Sequence, residues 1–515
     1  MSLSVIPQPL CFSILSPEPV VKITRLCEIE WEKGCDKAKN DLLRFLTDRF
    51  EGELLGTGRE RIILSLSGNS TDKEGYSLTV KADTVILSAS GEEGLFYAVQ
   101  SLKQLLMQGD FSLPEAEIED EPRFSSRGFM LDCGSYFFTK DAVKHFLDIM
   151  ALHKLNEFHW HLSEDQGFRC QLEDNILLTE IGSYRSHTGL NTTPHSGYYT
   201  KAEMKEIVDY AHERCIKVIP EINTPGHTVS MIAAYPFLSC FERELTVATD
   251  WGTKHDVLCV GKESTFRFME SVFDELTEIF TDGIIHLGGD EAPATRWKIC
   301  PHCQKRMAEE RLKDESELHT YYIERLARYL QSKGIEVRMW SGQENEKAVD
   351  PSVIRELCDG EINNGIKFIN SSANAYCLDL PYGLISLRQC YNYNPAYEAG
   401  KECSLLGVEA LLRTELIPDM EKAHYCTFPR LGAISETAWA KEENRNYDRF
   451  CQKLDGYFKV LSFYGIKPVK RKLYNPEPAR RLVCVIHRKR RKLYREELRG
   501  LVDNHIVNKK YSKKI

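Results

Sequence analysis

The chain has 515 residues, 42% hydrophobic and 28% charged, with a mean hydropathy of -0.37, which suits a globular protein with a large core and more than one ordinary domain. A formal net charge of -9 argues against a nucleic-acid surface over most of the molecule, and no uncharged apolar run is long enough to span a bilayer. Seventeen cysteines, an odd number without a disulfide-framework spacing, point to a reducing cytoplasm, and Met1 to Leu15 lacks the basic start of a signal peptide.

Residues 1–120 read as a small α/β domain. Ile62 to Leu66 and Thr84 to Leu87 have strand patterns. Glu92 to Met107 carries Leu95, Ala98, Val99, Leu102, Leu105 and Leu106 on one helical face. The acidic stretch Glu115 to Pro122 reads as a linker. Beyond it, over 121–466, eight short apolar runs alternate with helical segments. The runs are Gly128 to Asp132, Glu157 to Leu162, Lys217 to Ile222, Gly283 to Leu287, Glu336 to Trp340, Val353 to Cys358, Lys367 to Ser371 and Leu405 to Leu411. Helices are expected over Lys140 to His153, Lys201 to Arg214, Thr265 to Phe280 and Glu317 to Lys333. The fold class is therefore α/β, a (β/α)8 barrel behind a small α/β domain, although the links after the fifth, sixth and seventh runs support it less well. Residues 467–515 form a basic extension, including Arg488-Lys489-Arg490-Arg491-Lys492, expected to be a solvated tail without function.

In such barrels the chemistry gathers at the C-terminal strand ends. The second run ends in His159-Trp160-His161-Leu162-Ser163-Glu164-Asp165, the third in Glu221-Ile222-Asn223-Thr224-Pro225-Gly226-His227, and the fourth in His286-Leu287-Gly288-Gly289-Asp290-Glu291. The eighth continues through Glu409 and Arg413 to Glu415. After two glycines, Asp290 and Glu291 are expected to turn into one mouth, where like-charge proximity would leave one as proton donor and the other as anion. That division of labour suits glycosidic cleavage.

Five ordered stretches resemble glycoside hydrolase family 20, the β-N-acetylhexosaminidases. They are Arg127 to Asp132, Lys154 to Asp165, Pro220 to His227, His286 to Glu291 and Phe428 to Trp439. The resemblance implies an exo-acting, retaining enzyme that removes terminal β-linked N-acetylhexosamine from an oligosaccharide or glycoconjugate. It implies no cofactor or metal, and no nucleic-acid or membrane partner. In that mechanism the substrate's own acetamido oxygen attacks the anomeric carbon to give an oxazolinium ion. Glu291 would be the acid and later the base, and Asp290 would hold the acetamido N–H. His227 and Glu164 would form a relay to Glu291. Trp340 would wall the acetamido methyl group, and Glu415 would accept from a sugar hydroxyl.

The cradle departs from the family pattern. Ser135 stands where an arginine clamps two sugar hydroxyls, and Cys358 and Arg413 stand where tryptophans are usual. A tyrosine position is Cys377 in Cys377-Leu378-Asp379, with Tyr376 one place early. Tyr376, Asp379 and Arg413 are therefore carried as supporting candidates, Arg413 as a possible contact for an anionic substituent. Two other readings compete: a weakened or non-catalytic sugar-binding barrel, and a metal-dependent hydrolase using His159, His161, His227 and Asp290. Cys300-Pro301-His302-Cys303 has no evident second pair, so incidental thiols are favoured over a metal knuckle using His302.

Overall fold

A computed structural model describes residues 3–486 apart from 69, 190, 342–348, 361, 363–364, 397–402 and 480. The basic run Arg488 to Lys492 lies outside the described residues. The N-terminal sheet contains β1 (Cys11–Lys22), β2 (Glu28–Trp31), β3 (Arg61–Ser65), β4 (Tyr76–Lys81), β5 (Thr84–Ala89) and β6 (Ser112–Asp120), in the order β1-β6-β4-β5-β3-β2. Helices α1 (Asp36–Phe50) and α2 (Glu92–Gln108) pack together, and α2 lies against the sheet.

The acidic stretch read as a linker is a strand. β6 pairs with β1 on one side and β4 on the other, alternating buried Ala116 and Ile118 with outward-facing glutamates. Period-two alternation, hidden among acids, is the signal that was passed over.

A closed parallel barrel follows. Its first two strands are β7 (Ser126–Asp132) and β8 (Glu157–His161), after which comes a hairpin of β9 (Ser163–Glu164) and β10 (Gly167–Phe168). The other barrel strands are β11 (Lys217–Thr224), β12 (Ile284–Gly288), β13 (Glu336–Trp340), β14 (Ile354–Leu357), β15 (Lys367–Asn370) and β16 (Ser404–Leu412). Closure runs through β16 and β7, from Gly407 opposite Ser126 to Leu412 opposite Leu131. Along the chain come α3 (Lys140–Leu152), the short α4 (Leu177–Glu180), α5 (Lys201–His212), the short α6 (Val229–Ala234), α7 (Glu263–Ile279), α8 (Pro301–Glu309) and α9 (Glu315–Ser332). Local caps define their starts: Thr200 and Glu203 form a reciprocal capping box on α5, and Asp314 accepts from the Ser316 and Glu317 N–H groups on α9. Among the described residues no helix connects β13 to β14 or β14 to β15, while the link from β15 to β16 carries the helix Leu387–Asn392. Among them, also, no helix is long and apolar enough to cross a membrane.

The sheet domain and the barrel are knitted by buried polar contacts. Lys154 Nζ lies 2.7 Å from Asp120 Oδ2, Trp439 Nε1 donates to Asp120 Oδ1 at 2.9 Å, and Arg127 pairs with Glu74 at 2.7 Å. α2 is buried on nearly every side because it lies between the sheet and the barrel, so its polar face is also enclosed. Gln104 donates there to the Ile6 and Leu152 carbonyls, and Lys103 pairs with Asp41 at 3.0 Å. Residues after 467 also pack in part. Tyr474 is buried, Asn475 donates to the Tyr447 hydroxyl, and Arg481 donates to Gln389 at 2.6 Å. This part of the extension is therefore not a solvated tail.

The barrel interior is filled with charge. On β8, Phe158 and Trp160 face the surrounding helices, and Trp160 packs on Tyr199 and Phe280. Glu157, His159 and His161 point inward by the alternation of an extended strand. Arg338 from β13 donates twice to Glu157, at 2.9 and 3.0 Å, and Ser126 completes that carboxylate's shell. Above them, His159 lies within 3.0–3.4 Å of Glu221, Glu409 and Glu356.

Truncating Arg338→Met would leave Glu157 buried without its forked partner, which costs about 3–5 kcal/mol. Urea unfolding monitored by circular dichroism measures the loss, and a change below about 1 kcal/mol would show that Glu157 is compensated elsewhere.

Candidate active site

The segments at the C-terminal ends of the barrel strands contribute to one rim. Gly288 and Gly289 adopt φ of +71° and +93°, and Glu291 itself has φ of +42°. A side chain at Gly288 would meet Asn223 Oδ1 at 2.0 Å, so only glycine permits this turn at the end of β12. The turn sends Asp290 and Glu291 to different neighbours. Asp290 Oδ1 accepts from Asn223 Nδ2 at 2.8 Å, and its other oxygen lies 3.9 Å from Arg413. Glu291 Oε2 accepts from the Thr253 hydroxyl at 2.5 Å and lies 3.9 Å from His227 Nε2. Their separate partners, rather than mutual repulsion, distinguish the two carboxylates. Asp290 is largely enclosed, while half of the Glu291 side chain faces solvent (17% and 52% exposed).

A ladder of alternating histidines and carboxylates runs from the barrel core to Glu291. Glu221 Oε2 is 2.5 Å from His161 Nδ1, and His161 Nε2 is 3.4 Å from Glu164 Oε1. Glu164 Oε2 is then 2.9 Å from His227 Nδ1. Burial opposes charge on His227, but Glu164, with Asp290 and Asp165 nearby, holds its pKa well above the ordinary histidine range. Burial likewise works against the Glu164 anion, yet His227 and His161 pull its pKa far below the usual carboxylate range. Burial pushes neighbouring Asp165 up to about 7 against the pull of His227. Asp165 Oδ1 accepts from the Val229 N–H at the start of α6, which fixes the turn behind His227.

The remaining candidates fall on and behind this rim. Trp340 is buried; its Nε1 donates to Glu221 Oε1 at 2.7 Å, and its ring packs against His159 and His286. Arg413 covers the Trp340 ring at 5.1 Å while approaching Asp290, so its charge already has a partner within the site. Cys358, Cys377 and Asp379 surround the same guanidinium. Burial pushes the Asp379 carboxyl up to about 6, with Arg413 opposing. Glu415 lies exposed on the rim. Tyr376 is the candidate that turns away: it is fully buried and its ring packs edge-on against Tyr393. Its neighbour Cys377, bridged to Leu411 of β16, lies beside Cys358 and Arg413 instead.

Ser135 does not replace the clamp. Its N–H donates to Asp132 Oδ1 and its carbonyl accepts from Arg185, inside the loop after β7. Asp132 Oδ2 also accepts from Thr414 N–H and hydroxyl, which anchors the Arg413-Thr414-Glu415 segment. Thr253 lies in an irregular segment without periodicity, so no sequence pattern singles it out.

The metal-hydrolase quartet does not assemble. His159 and His161 are committed to the barrel carboxylates, His227 to Glu164, and Asp290 to Asn223. His159, His286 and Glu356 do approach one another, but Arg338 stands 3.8 Å from Glu356 and supplies a cation there. The Cys300–Cys303 pair has a second pair after all: Cys240 and Cys259 join it in a buried group of four.

Replacing Glu164→Gln would remove the main charge that keeps His227 protonated. Because its folded pKa is raised, the stability contributed by His227 is complete below the unfolded value and is lost as pH rises through the folded one. The His227 titration followed by side-chain NMR should move down by at least about one pH unit in the variant. An unmoved titration would mean that Glu164 does not hold the proton.

The glycosyl hydrolase family 20 catalytic-domain model matches residues 124–442, and the family's domain 2 model matches residues 2–121. A β-hexosaminidase of Porphyromonas gingivalis is 37% identical over 425 residues, covering 76% of this chain and 54% of its own, so the chain spans about half that relative's length. One from Akkermansia muciniphila is 33% identical over 410 residues, covering 74% and 83%. The structure of the family 20 β-N-acetylhexosaminidase from Streptomyces coelicolor A3(2) aligns with a TM-score of 0.79 at 26% identity, over 91% of this chain and 98% of that one. A mutant Streptomyces plicatus β-hexosaminidase in complex with GlcNAc gives a TM-score of 0.79 at 27% identity, over 92% and 97%. With the catalytic-domain match covering more than half of its length, this chain belongs to glycoside hydrolase family 20.

Proposed function

We propose that the chain is an exo-acting β-N-acetylhexosaminidase that removes terminal β-linked N-acetylhexosamine from oligosaccharides or glycoconjugates with retention of configuration. The observation that carries this reading is the division of Asp290 and Glu291 between two sets of partners at the end of β12. Glu291, reached by Thr253 and His227, faces outward, where a glycosidic oxygen would sit. It donates its proton to that oxygen as the bond breaks. The substrate's acetamido oxygen attacks the anomeric carbon from the other face, forming an oxazolinium ion. Asp290, oriented by Asn223, accepts the acetamido N–H and stabilises the positive charge that develops there. Glu291, now ionised, then removes a proton from water as it attacks the anomeric carbon and opens the ring. No protein nucleophile is required, because the nucleophile belongs to the sugar.

The relay gives this acid a defined setting. His227, held protonated by Glu164, places a positive charge 3.9 Å from Glu291 and stabilises its anion when the proton has left. Glu415 at the rim and Asp379 beside Arg413 are the groups available for sugar hydroxyls. We take the chain as three units, a domain over 1–120, the catalytic barrel over 121–466 and a basic extension over 467–515. The seventeen cysteines, none of them joined in a disulfide, support a reducing, cytoplasmic setting.

Hydrolysis of a chromogenic N-acetyl-β-glucosaminide and of an unactivated oligosaccharide tests the assignment. With Glu291→Gln, kcat on the oligosaccharide should fall by about 10²–10⁴-fold, and the activated aryl substrate should suffer less because its leaving group needs less protonation. Equal rates for the wild type and the variant would remove Glu291 from the acid role.

A further inference from the structure

Four cysteines from two loops converge beside the rim, apart from the sugar site. Cys240 follows the short helical turn Pro236–Leu238, and Cys259 follows the bridge that pairs Ser239 with Leu258. Cys300 and Cys303 bracket the first turn of α8. The Cys259 sulfur lies 3.6 Å from that of Cys300 and 3.7 Å from that of Cys303, and the Cys240 sulfur lies 3.9 Å from that of Cys303. All four are buried, and all four sulfurs lie within 4.8 Å of one another.

These separations are too long for a disulfide, whose sulfurs stand about 2.05 Å apart. They match the edge of a thiolate tetrahedron: four Zn–S bonds of about 2.3 Å give sulfur separations of about 3.8 Å. Among the described residues no other three cysteines converge in this way. The backbone is shaped for the approach as well. A side chain at Gly261 would meet Cys303 N and the His302 carbonyl carbon at 2.3 Å, so glycine lets the Cys259 turn settle directly onto the start of α8.

We propose that Cys240, Cys259, Cys300 and Cys303 bind one Zn²⁺ as a closed structural site. Binding exchanges four thiol protons, released to solvent, for four Zn–S bonds and leaves a net charge of two minus. The N-terminus of α8 offsets part of that charge. Lys262 Nζ, paired with Glu242 at 2.8 Å, ties down the Cys240 segment by donating to the Ser239 carbonyl at 2.9 Å. With four protein ligands no position is left open for substrate or water, so the ion is structural.

The site clamps the loop after β11 to the segment after β12. Two neighbouring contacts bridge the same elements: Arg296 pairs with Asp256 at 2.9 Å, and Trp297 Nε1 donates to the Leu258 carbonyl at 2.9 Å. The first loop also carries Thr253, whose hydroxyl holds Glu291. Zinc therefore positions the loop that orients the proposed acid. That consequence rests on the reading of Glu291 given above, but the presence of the metal does not.

Elemental analysis of the full-length protein, purified without chelator, should find about one zinc per chain, and mercurial modification of the thiols should release it to a colorimetric indicator. Protein grown on cobalt should show intense thiolate-to-metal charge transfer and the visible bands of a tetrahedral ion. Cys259→Ser should abolish both signals if it folds; the wild-type measurements decide the question if it does not. Folded protein with less than about 0.1 equivalent of any metal and no cobalt spectrum would overturn the site, and iron in place of zinc would overturn the zinc assignment. Stripping the metal should also lower kcat more than it raises KM. Full activity in folded, zinc-free protein would sink the positioning role, whereas zinc in an inactive protein would leave the site standing and count against the hydrolase reading.

Discussion

Neutralising the charge sealed inside the barrel is the constraint on which the catalytic rim depends. Burial would drive His159 and His161 to neutrality, but Glu409 and Glu356 hold His159 well above its ordinary pKa, and Glu221 holds His161 up to about 10. Burial also works against the anions, yet Arg338 holds Glu157 down, His161 and His286 hold Glu221 down, and His159 and His286 hold Glu356 down. Burial, with the charge of Glu356, pushes Glu409 up to about 8, and burial lowers His286. Arg338, His159 and His161 thus face the buried carboxyl groups of Glu157, Glu221, Glu356 and Glu409, each cation held charged by the carboxylates around it. The balance requires the inward positions of β8, β11, β13 and β14 to meet at set heights, and a shift of one residue along any of them would leave charges buried unpaired.

The same network reaches the chemistry. Glu221 grips both His161 and the Trp340 indole, His161 meets Glu164, and Glu164 grips His227 beside Glu291. The proposed acid is therefore seated on a buried ionic column rather than on a flexible loop, which is the support a preorganised site needs. The sugar cradle above it is less conventional. Ser135, Cys358, Cys377 and Arg413 stand where the family resemblance implies a clamp, a phenol and aromatic walls, and each lost charge-assisted contact would be worth roughly 1.5–3 kcal/mol of binding. Arg413 fills part of that space by lying over Trp340 and approaching Asp290. In the proposed mechanism it would compete for the carboxylate assigned to the oxazolinium ion, and the substrate's acetamido group would have to take Asp290 in the presence of that cation.

The barrel was legible in the sequence because each strand is a short run bounded by polar residues, and β7, β8 and β11 to β16 fall where those eight runs lie. The Asp290–Glu291 turn was legible because Gly288 and Gly289 announce it. Other features were hidden by the way side-chain patterns overlap. β6 was masked by the glutamates on its solvent face, and the polar face of α2 gave no sign that a second layer would cover it. Tyr376 stands next to the expected position in sequence, but it lies in a turn that carries its ring away to Tyr393. Cys240 and Cys259 lie 41 or more residues before Cys300, in irregular loops, and only the folded chain brings the two pairs together.

The central claim is that Asp290 serves the substrate's own acetamido group and that Glu291 serves the departing oxygen. Equilibrium binding of N-acetylglucosamine-thiazoline, a stable mimic of the oxazolinium ion, tests it most directly. The account predicts binding at least about 10²-fold tighter than that of N-acetylglucosamine, with the advantage lost in Asp290→Asn. Binding no tighter than that of the free sugar, or an advantage that survives the substitution, would contradict it.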